Sequence, residues 1–190
     1  MPNFDSRVRF AVIPDRSAIL VRARSNVGPI EFGTTRLWGS IEAPAPGPSS
    51  LEFDDVTASI EVEVADLTSG NALYDAELRR RVDARIFPRA IVELDEAHAL
   101  GYGDSIGVGG RLTFHGVTRV VSGLVRVVWP NERLLVVTGE QTIDIRDFDI
   151  ETPTMLMLKI YPDVQVYLHL EAEAQHDDPD AGSPIDDPDR

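Results

Sequence analysis

Along most of the chain, apolar and polar residues alternate with a period of two, as in strands with one wet face. Ile60, Val62 and Val64 alternate with Glu61 and Glu63. Val108, Leu112 and Phe114 alternate with Arg111, Thr113 and His115, and Val164, Val166, Leu168 and Leu170 with Gln165, Tyr167, His169 and Glu171. Less regular runs lie at Val8–Ile13, Ile19–Arg24, Leu37–Glu42, Ala90–Asp95, Thr118–Trp129 and Leu134–Arg146. Gly-Pro, Gly-Tyr-Gly-Asp, His-Gly and Pro-Asn-Glu breaks separate several of these runs. Long successive strands joined by tight turns predict an all-β fold with antiparallel pairing, as a sandwich or a barrel.

One segment departs from this pattern. From Ala72 to Ala84 the apolar positions Leu73, Leu78 and Val82 fall near helical spacing, with acids early and arginines late. That charge order suits the helix macrodipole, and Ser69-Gly70-Asn71 stands where a cap is needed. A short helix is expected there, with Leu78 and Val82 facing in and Arg79, Arg80 and Arg81 spread toward solvent.

The last sixteen residues, Gln175 to Arg190, hold six aspartates and three prolines. Such a segment buries too little apolar surface to offset its ordering entropy, so the expected organisation is one domain over residues 1–174 and a disordered acidic tail over 175–190. Ala43 to Ser50, rich in proline, reads as a loop between two strands.

Composition narrows the function classes. The 190 residues contain no cysteine, which removes thiolate metal sites and cysteine nucleophiles. A formal charge of -14 argues against a phosphate-tracking nucleic-acid partner. Lys159 is the only lysine, so a Schiff-base enzyme has one candidate. No apolar run reaches the roughly 18 residues of a membrane helix, and the first residues carry no apolar leader, so the expected location is the cytoplasm.

Several stretches resemble one family. Leu67-Thr68-Ser69-Gly70-Asn71, then Asp75 and Leu78, then Ile86-Phe87-Pro88, are similar to the strand–helix–strand segment of YceI-like proteins. Gly110-Arg111-Leu112-Thr113-Phe114-His115-Gly116-Val117-Thr118-Arg119 resembles the family's G-x-L-T-x-x-G-V-T hairpin. Ile143-Asp144-Ile145-Arg146-Asp147-Phe148-Asp149-Ile150 is similar to its R-x-D-F-G-I motif, and Asp15-Arg16-Ser17-Ala18-Ile19 to its opening. Two departures stand out: Glu77 where the family often has histidine, and Asp149 in place of a glycine, which requires an aspartate tolerating a left-handed turn.

The resemblance implies an eight-stranded antiparallel, lipocalin-like β-barrel with one short helix capping an end. It also implies a non-enzymatic role in binding, transporting or storing a polyisoprenoid, isoprenoid quinone or fatty-acyl lipid, without a cofactor. Taking the apolar parity of each strand as inward, the expected pocket lining is Val62, Val108, Leu112, Phe114, Val127, Trp129, Val137, Gln141 and Leu168, joined by Leu78 from the helix and Phe87 from the Ile-Phe-Pro stretch after it. Val56, Ile60, Ala90, Val92, Leu94, Val125, Leu135 and Ile143 share that parity. Gly110, Gly123 and Gly139 also fall inward, and either leave unfilled volume or relieve strand coiling. Two alternatives remain open: a barrel-pocket enzyme acting on a small apolar substrate, and a filled barrel serving as an interaction scaffold. A homodimer is also left open.

Other constellations are weaker. Of His98, His115, His169 and His176, none pairs at metal-ligand spacing. His115 and His169 share an outward parity and read as solvated strand-face residues. Asp144, Asp147 and Asp149 read as a strand-end turn, with no nucleophile beside them. Arg79 to Arg81 is a solvated face or a phosphate contact.

Overall fold

In the computed structural model the described residues are 7–44, 56–100, 105–152, 154–155 and 158–175. Eleven strands and one α-helix occur among them, in the order β1 (Arg7–Val12), β2 (Ala18–Ser25), β3 (Gly28–Thr34), β4 (Leu37–Pro44), β5 (Thr57–Glu63), α1 (Ala72–Arg81), β6 (Arg89–Ala99), β7 (Ser105–Phe114), β8 (Val117–Asn131), β9 (Leu134–Asp144), β10 (Thr154–Met155) and β11 (Leu158–Ala174). All pairings between strands are antiparallel.

The eight-stranded closure arises because two pairs of strands act as single bent ones. β1 and β2 are interrupted only by a 3-10 turn at Pro14–Arg16, and β3 and β4 only by Thr35 and Arg36. β2 pairs with β3 and β1 with β4, so residues 7–44 form one long kinked hairpin. The ring then runs through β5, β6, β7, β8, β9 and β11. β11 closes it by pairing first with β2 and then, at Phe10–Ala174 to Val12–Ala172, with β1. At the kink the ladder is repaired by a side chain. Buried Ser17 donates through Oγ to the Glu171 carbonyl at 3.3 Å and accepts from the Glu171 N–H at 3.0 Å. Gln175 continues the pairing by donating its N–H to Arg9 O at 2.8 Å.

All nine runs expected from alternation coincide with strands, although Ile13, Val64, His115, Ile145 and Arg146 fall just beyond the strand ends. β3 was hidden by its Gly28-Pro29 start, which reads as a break. It is tolerated because β3 has β2 on one side and, on the other, only the isolated Gly33–Thr68 bridge. The expected proline-rich loop begins as the end of β4; its residues 45–50, the Gly101-to-Asp104 break and the tail from His176 onward lie outside the described residues.

The barrel is filled at one end. Phe10, Leu37, Ile41, Leu135, Leu170 and Ala172 form a buried cluster, against which Val127, Trp129 and Val137 pack. The Phe10 and Trp129 rings meet edge to face at 5.2 Å. At the other end lies α1. Asn71 caps it, accepting from the N–H of Leu73 at 3.0 Å and of Tyr74 at 3.4 Å. Buried Asp75 accepts from Thr68 Oγ1 at 2.9 Å and from the Ser69 N–H and hydroxyl at 2.7 and 2.6 Å. Leu73, expected on the helix's apolar side, is exposed. No helix among the described residues is long and apolar enough to cross a membrane.

Candidate functional site

Between the filled end and α1 the barrel is hollow. The cavity measures about 380 Å³, a size common for small-molecule sites. β2 and β3 contribute Ile19, Val21, Ala23, Ile30 and Phe32; β5 and β6 contribute Ile60, Val62, Ala90, Val92 and Leu94. Leu78 comes down from α1 and Val82 from the residue that ends it, and Phe148 and Ile150 close the side beneath with Leu112 and Val64.

Of the eleven expected lining residues, Val62, Leu78, Val108, Leu112, Phe114, Gln141 and Leu168 border the cavity. Four do not border it. Val127, Trp129 and Val137 do face inward, but at the filled end, where they pack on Phe10, Leu135 and Leu170. Phe87 stacks edge to face on His115 at 5.1 Å over the β7–β8 turn. The glycines divide as well. A Cβ at Gly110 would stand 2.1 Å from Glu93 O, so this glycine admits the neighbouring backbone beside the β6 bulge and leaves no void. Gly123 and Gly139 line the cavity.

Four further residues differ from expectation or resolve it. His115 is not a solvated strand-face residue. It holds φ 50 in the β7–β8 turn, only 14% of its side chain is exposed, and its Nδ1 lies 2.8 Å from Phe148 O. His169 lies on β11 with Nε2 3.5 Å from Glu171. Asp149 does take the left-handed conformation (φ 55, ψ 30), ending the 3-10 turn at Ile145–Phe148. A lone aspartate can occupy this region because its short polar side chain bonds locally. Asp144 is engaged by Arg146, whose hydrogen bonds hold the carboxyl below its ordinary range.

The polar groups of the cavity sit at its margins. Under α1 they are Tyr74, Glu77 and Arg81. Arg81 thus faces the cavity, while Arg80 spreads to solvent and Arg79 donates to Ala65 O at 3.2 Å. Glu77 accepts from Arg80 and Arg81, each at 2.7 Å. Those two hydrogen bonds, opposed by burial, lower its pKa to about 2. On the barrel wall the polar groups are Ser122, Glu140 and Gln141. Sequence reasoning found Gln141 but missed Tyr74, Arg81, Ser122 and Glu140, because the last two lie on the outward parity. Ile19, Val21 and Ala23 were readable from alternation and omitted.

A YceI-like domain model matches residues 10–172. The chain belongs to the YceI-like family. None of the curated proteins compared matches its sequence. Among solved structures, this YceI-like barrel resembles Burkholderia cenocepacia BcnA with a TM-score of 0.73 and 19% identity, over 84% of this chain and 98% of that one. It resembles a polyisoprenoid-binding domain from Saccharophagus degradans, implicated in plant cell wall breakdown, with a TM-score of 0.68 and 15% identity, over 87% and 98% of the two chains. The Campylobacter jejuni YceI protein matches with a TM-score of 0.58 and 17% identity, over 74% and 82%. At these identities the likeness is one of fold.

Proposed function

We propose that the protein is a non-enzymatic carrier or store for one long apolar molecule, a polyisoprenoid, isoprenoid quinone or fatty-acyl lipid. The observation that carries this reading is the contrast between the two ends of one barrel: residues of the same inward parity interlock around Phe10 and Trp129, yet stand apart around a cavity under α1. A filled scaffold has no use for that difference. A polyisoprenoid-binding domain among the structural neighbours points the same way. The cavity's acid under α1 is tied to two arginines and held ionised, which suits a structural role better than general-acid catalysis.

The energetics are sufficient without any ion pair to the ligand. About fifteen buried carbons offer on the order of 12 kcal/mol gross. Association costs of about 4 kcal/mol or more leave roughly micromolar binding. The test is native mass spectrometry of gently purified protein, followed by organic extraction. The expected result is a one-to-one adduct that extracts as a long-chain lipid. A mass equal to the polypeptide alone, with no uptake of added prenyl alcohol, quinone or fatty acid, sinks the carrier reading.

A further inference from the structure

The wall of a closed barrel shows its interior every second residue. Around most of this cavity that rule holds: β2 presents Ile19, Val21 and Ala23, and β6 presents Ala90, Val92 and Leu94. It fails in one place. β8 gives the cavity five consecutive residues, Val121 to Val125, and β9 gives three, Gly139 to Gln141. Consecutive residues border one space where the wall is open or where a glycine bares the backbone beside it, and the strand pairing decides between the two.

The pairing shows why. β8 and β9 are joined from Asn131–Leu134 up to Val125–Gly139, and there the ladder stops. Each strand nevertheless continues. β8 stays paired with β7 as far as Val117–Phe114, and β9 stays paired with β11 as far as Asp144–Asp163. Two neighbours thus part from each other while each keeps its other partner. The result is a lateral slit, bounded at one end by the last ladder pair and at the other by the 3-10 turn Ile145–Phe148, which packs on β8. Its rim carries a hydroxyl, a carboxylate and an amide, from Ser122, Glu140 and Gln141. Just outside, Val120 and Leu124 are 87% and 60% exposed on the outer face of β8.

The α1 margin is fastened. α1 is held by the Asp75 contacts to Thr68 and Ser69, and by Arg79 on Ala65 O. Opening that end breaks several hydrogen bonds, whereas widening the slit breaks none of the β8–β9 ladder.

We propose that the slit between β8 and β9 is the portal for the ligand's chain, and that it favours molecules ending in an uncharged hydrogen-bonding group, a hydroxyl, carbonyl or amide, held between Ser122 and Gln141. This rests on the carrier reading. The rim's carboxylate, Glu140, disfavours an anionic head group through like-charge repulsion, and Arg146, the cation of the turn that bounds the slit, is already engaged by Asp144. Val120 and Leu124 give an arriving apolar chain a first surface beside the opening.

The chain has no cysteine, so an introduced pair is unique. Ser122→Cys with Thr142→Cys stands across the slit, three pairs beyond the last ladder pair, and can be joined by a short bis-maleimide. Ala65→Cys with Arg79→Cys, joined the same way, staples α1 to the wall. The readout is release of preloaded N-phenyl-1-naphthylamine into excess lipid vesicles. Bridging the slit should slow release about tenfold or more against the same variant capped with a single-ended maleimide, while stapling α1 should change it by less than about twofold. Slowing by the α1 staple alone, or by neither bridge, overturns the portal. In the uncross-linked parent, hexadecanol should displace the probe at lower concentration than palmitate at neutral pH, and Glu140→Gln should narrow the gap. Equal displacement by both in the parent overturns the head-group preference. A parent that takes up no probe overturns the carrier reading and the portal with it, and that outcome is seen before any bridge is made.

Discussion

Narrowing the hollow half at Gly123 separates a cavity from a core. The residue lies in β8 and borders the cavity, and a Cβ added there meets only the tip of Gln141, with Oε1 at 3.1 Å and Cδ at 3.8 Å. That amide is the movable end of a flexible side chain, so Gly123→Leu should fit with little strain. Loss of unfolded-state freedom favours the folded variant by roughly 0.4–1 kcal/mol, so stability should be unchanged or slightly higher. The ligand fares differently. A leucine side chain takes the room of about four methylenes, worth about 0.8 kcal/mol each, so binding should weaken by about 3 kcal/mol, roughly 150-fold.

Gly139→Leu is the internal contrast. Its Cβ would meet Val125 Cγ1 at 3.1 Å and the Leu124 carbonyl at 3.3 Å, where the ladder ends. Backbone does not yield as a side chain does, so overpacking should cost about 1–3 kcal/mol. At about 2–4 °C per kcal/mol for a chain of this length, thermal unfolding resolves the two variants. Probe titration beside the melt completes the assay. Unweakened binding in Gly123→Leu, or a stability loss equal to that of Gly139→Leu, would refute the reasoning.

Two further outcomes follow from α1. Leu78→Asp places a charge among Val82, Leu112 and Phe148 and should reduce the melting temperature or abolish ligand retention, whereas Arg80→Ser, on the solvent side, should be mild; identical behaviour in a melt with lipid extraction would show that α1 is not a packed cap. Glu77, with its pKa lowered from 4.5 to about 2 by Arg80 and Arg81, adds stability that is fully present above about pH 4.5 and lost as pH falls through about 2. Urea unfolding of parent and Glu77→Gln should therefore differ most at the upper end of that window and converge at its acid end, and a difference independent of pH contradicts the assignment.

The architecture was legible where physics is local. Alternation marks Ile60, Val62, Val108 and Leu112 as inward because side-chain direction has a fixed period along a strand. Asn71 marks the helix start because an unsatisfied N-terminus needs an acceptor. Height along the barrel was not legible. Trp129 and Leu112 share one parity, yet one meets Phe10 in the filled end and the other borders the cavity. That difference is set by register against distant strands, and no window of sequence contains it. The slit is hidden for the same reason: Val121 and Gly123 go on alternating with Val120, Ser122 and Leu124 past the point where β9 departs.

The division into a filled and a hollow half also decides what the cavity holds. At about 24 cal/mol per Å³, a dry void of about 380 Å³ would cost roughly 9 kcal/mol. Domains have only about 5–15 kcal/mol of net stability in total, so an empty, sealed cavity of this size is close to incompatible with a folded barrel. Two occupants relieve the cost. An apolar chain restores the missing contacts along Val62, Val92 and Leu112, while water needs polar partners, which this cavity supplies only at its margins, through Ser122, Glu140 and Gln141 on one side and Tyr74, Glu77 and Arg81 on the other. A slit through the wall lets solvent enter and leave at those polar positions, so the unloaded barrel need not sustain a vacuum. Loading then exchanges loosely held water for apolar contact. On the carrier reading, the opening between β8 and β9 then has a thermodynamic role as well as a kinetic one, because admitting water lowers the cost of the unloaded state.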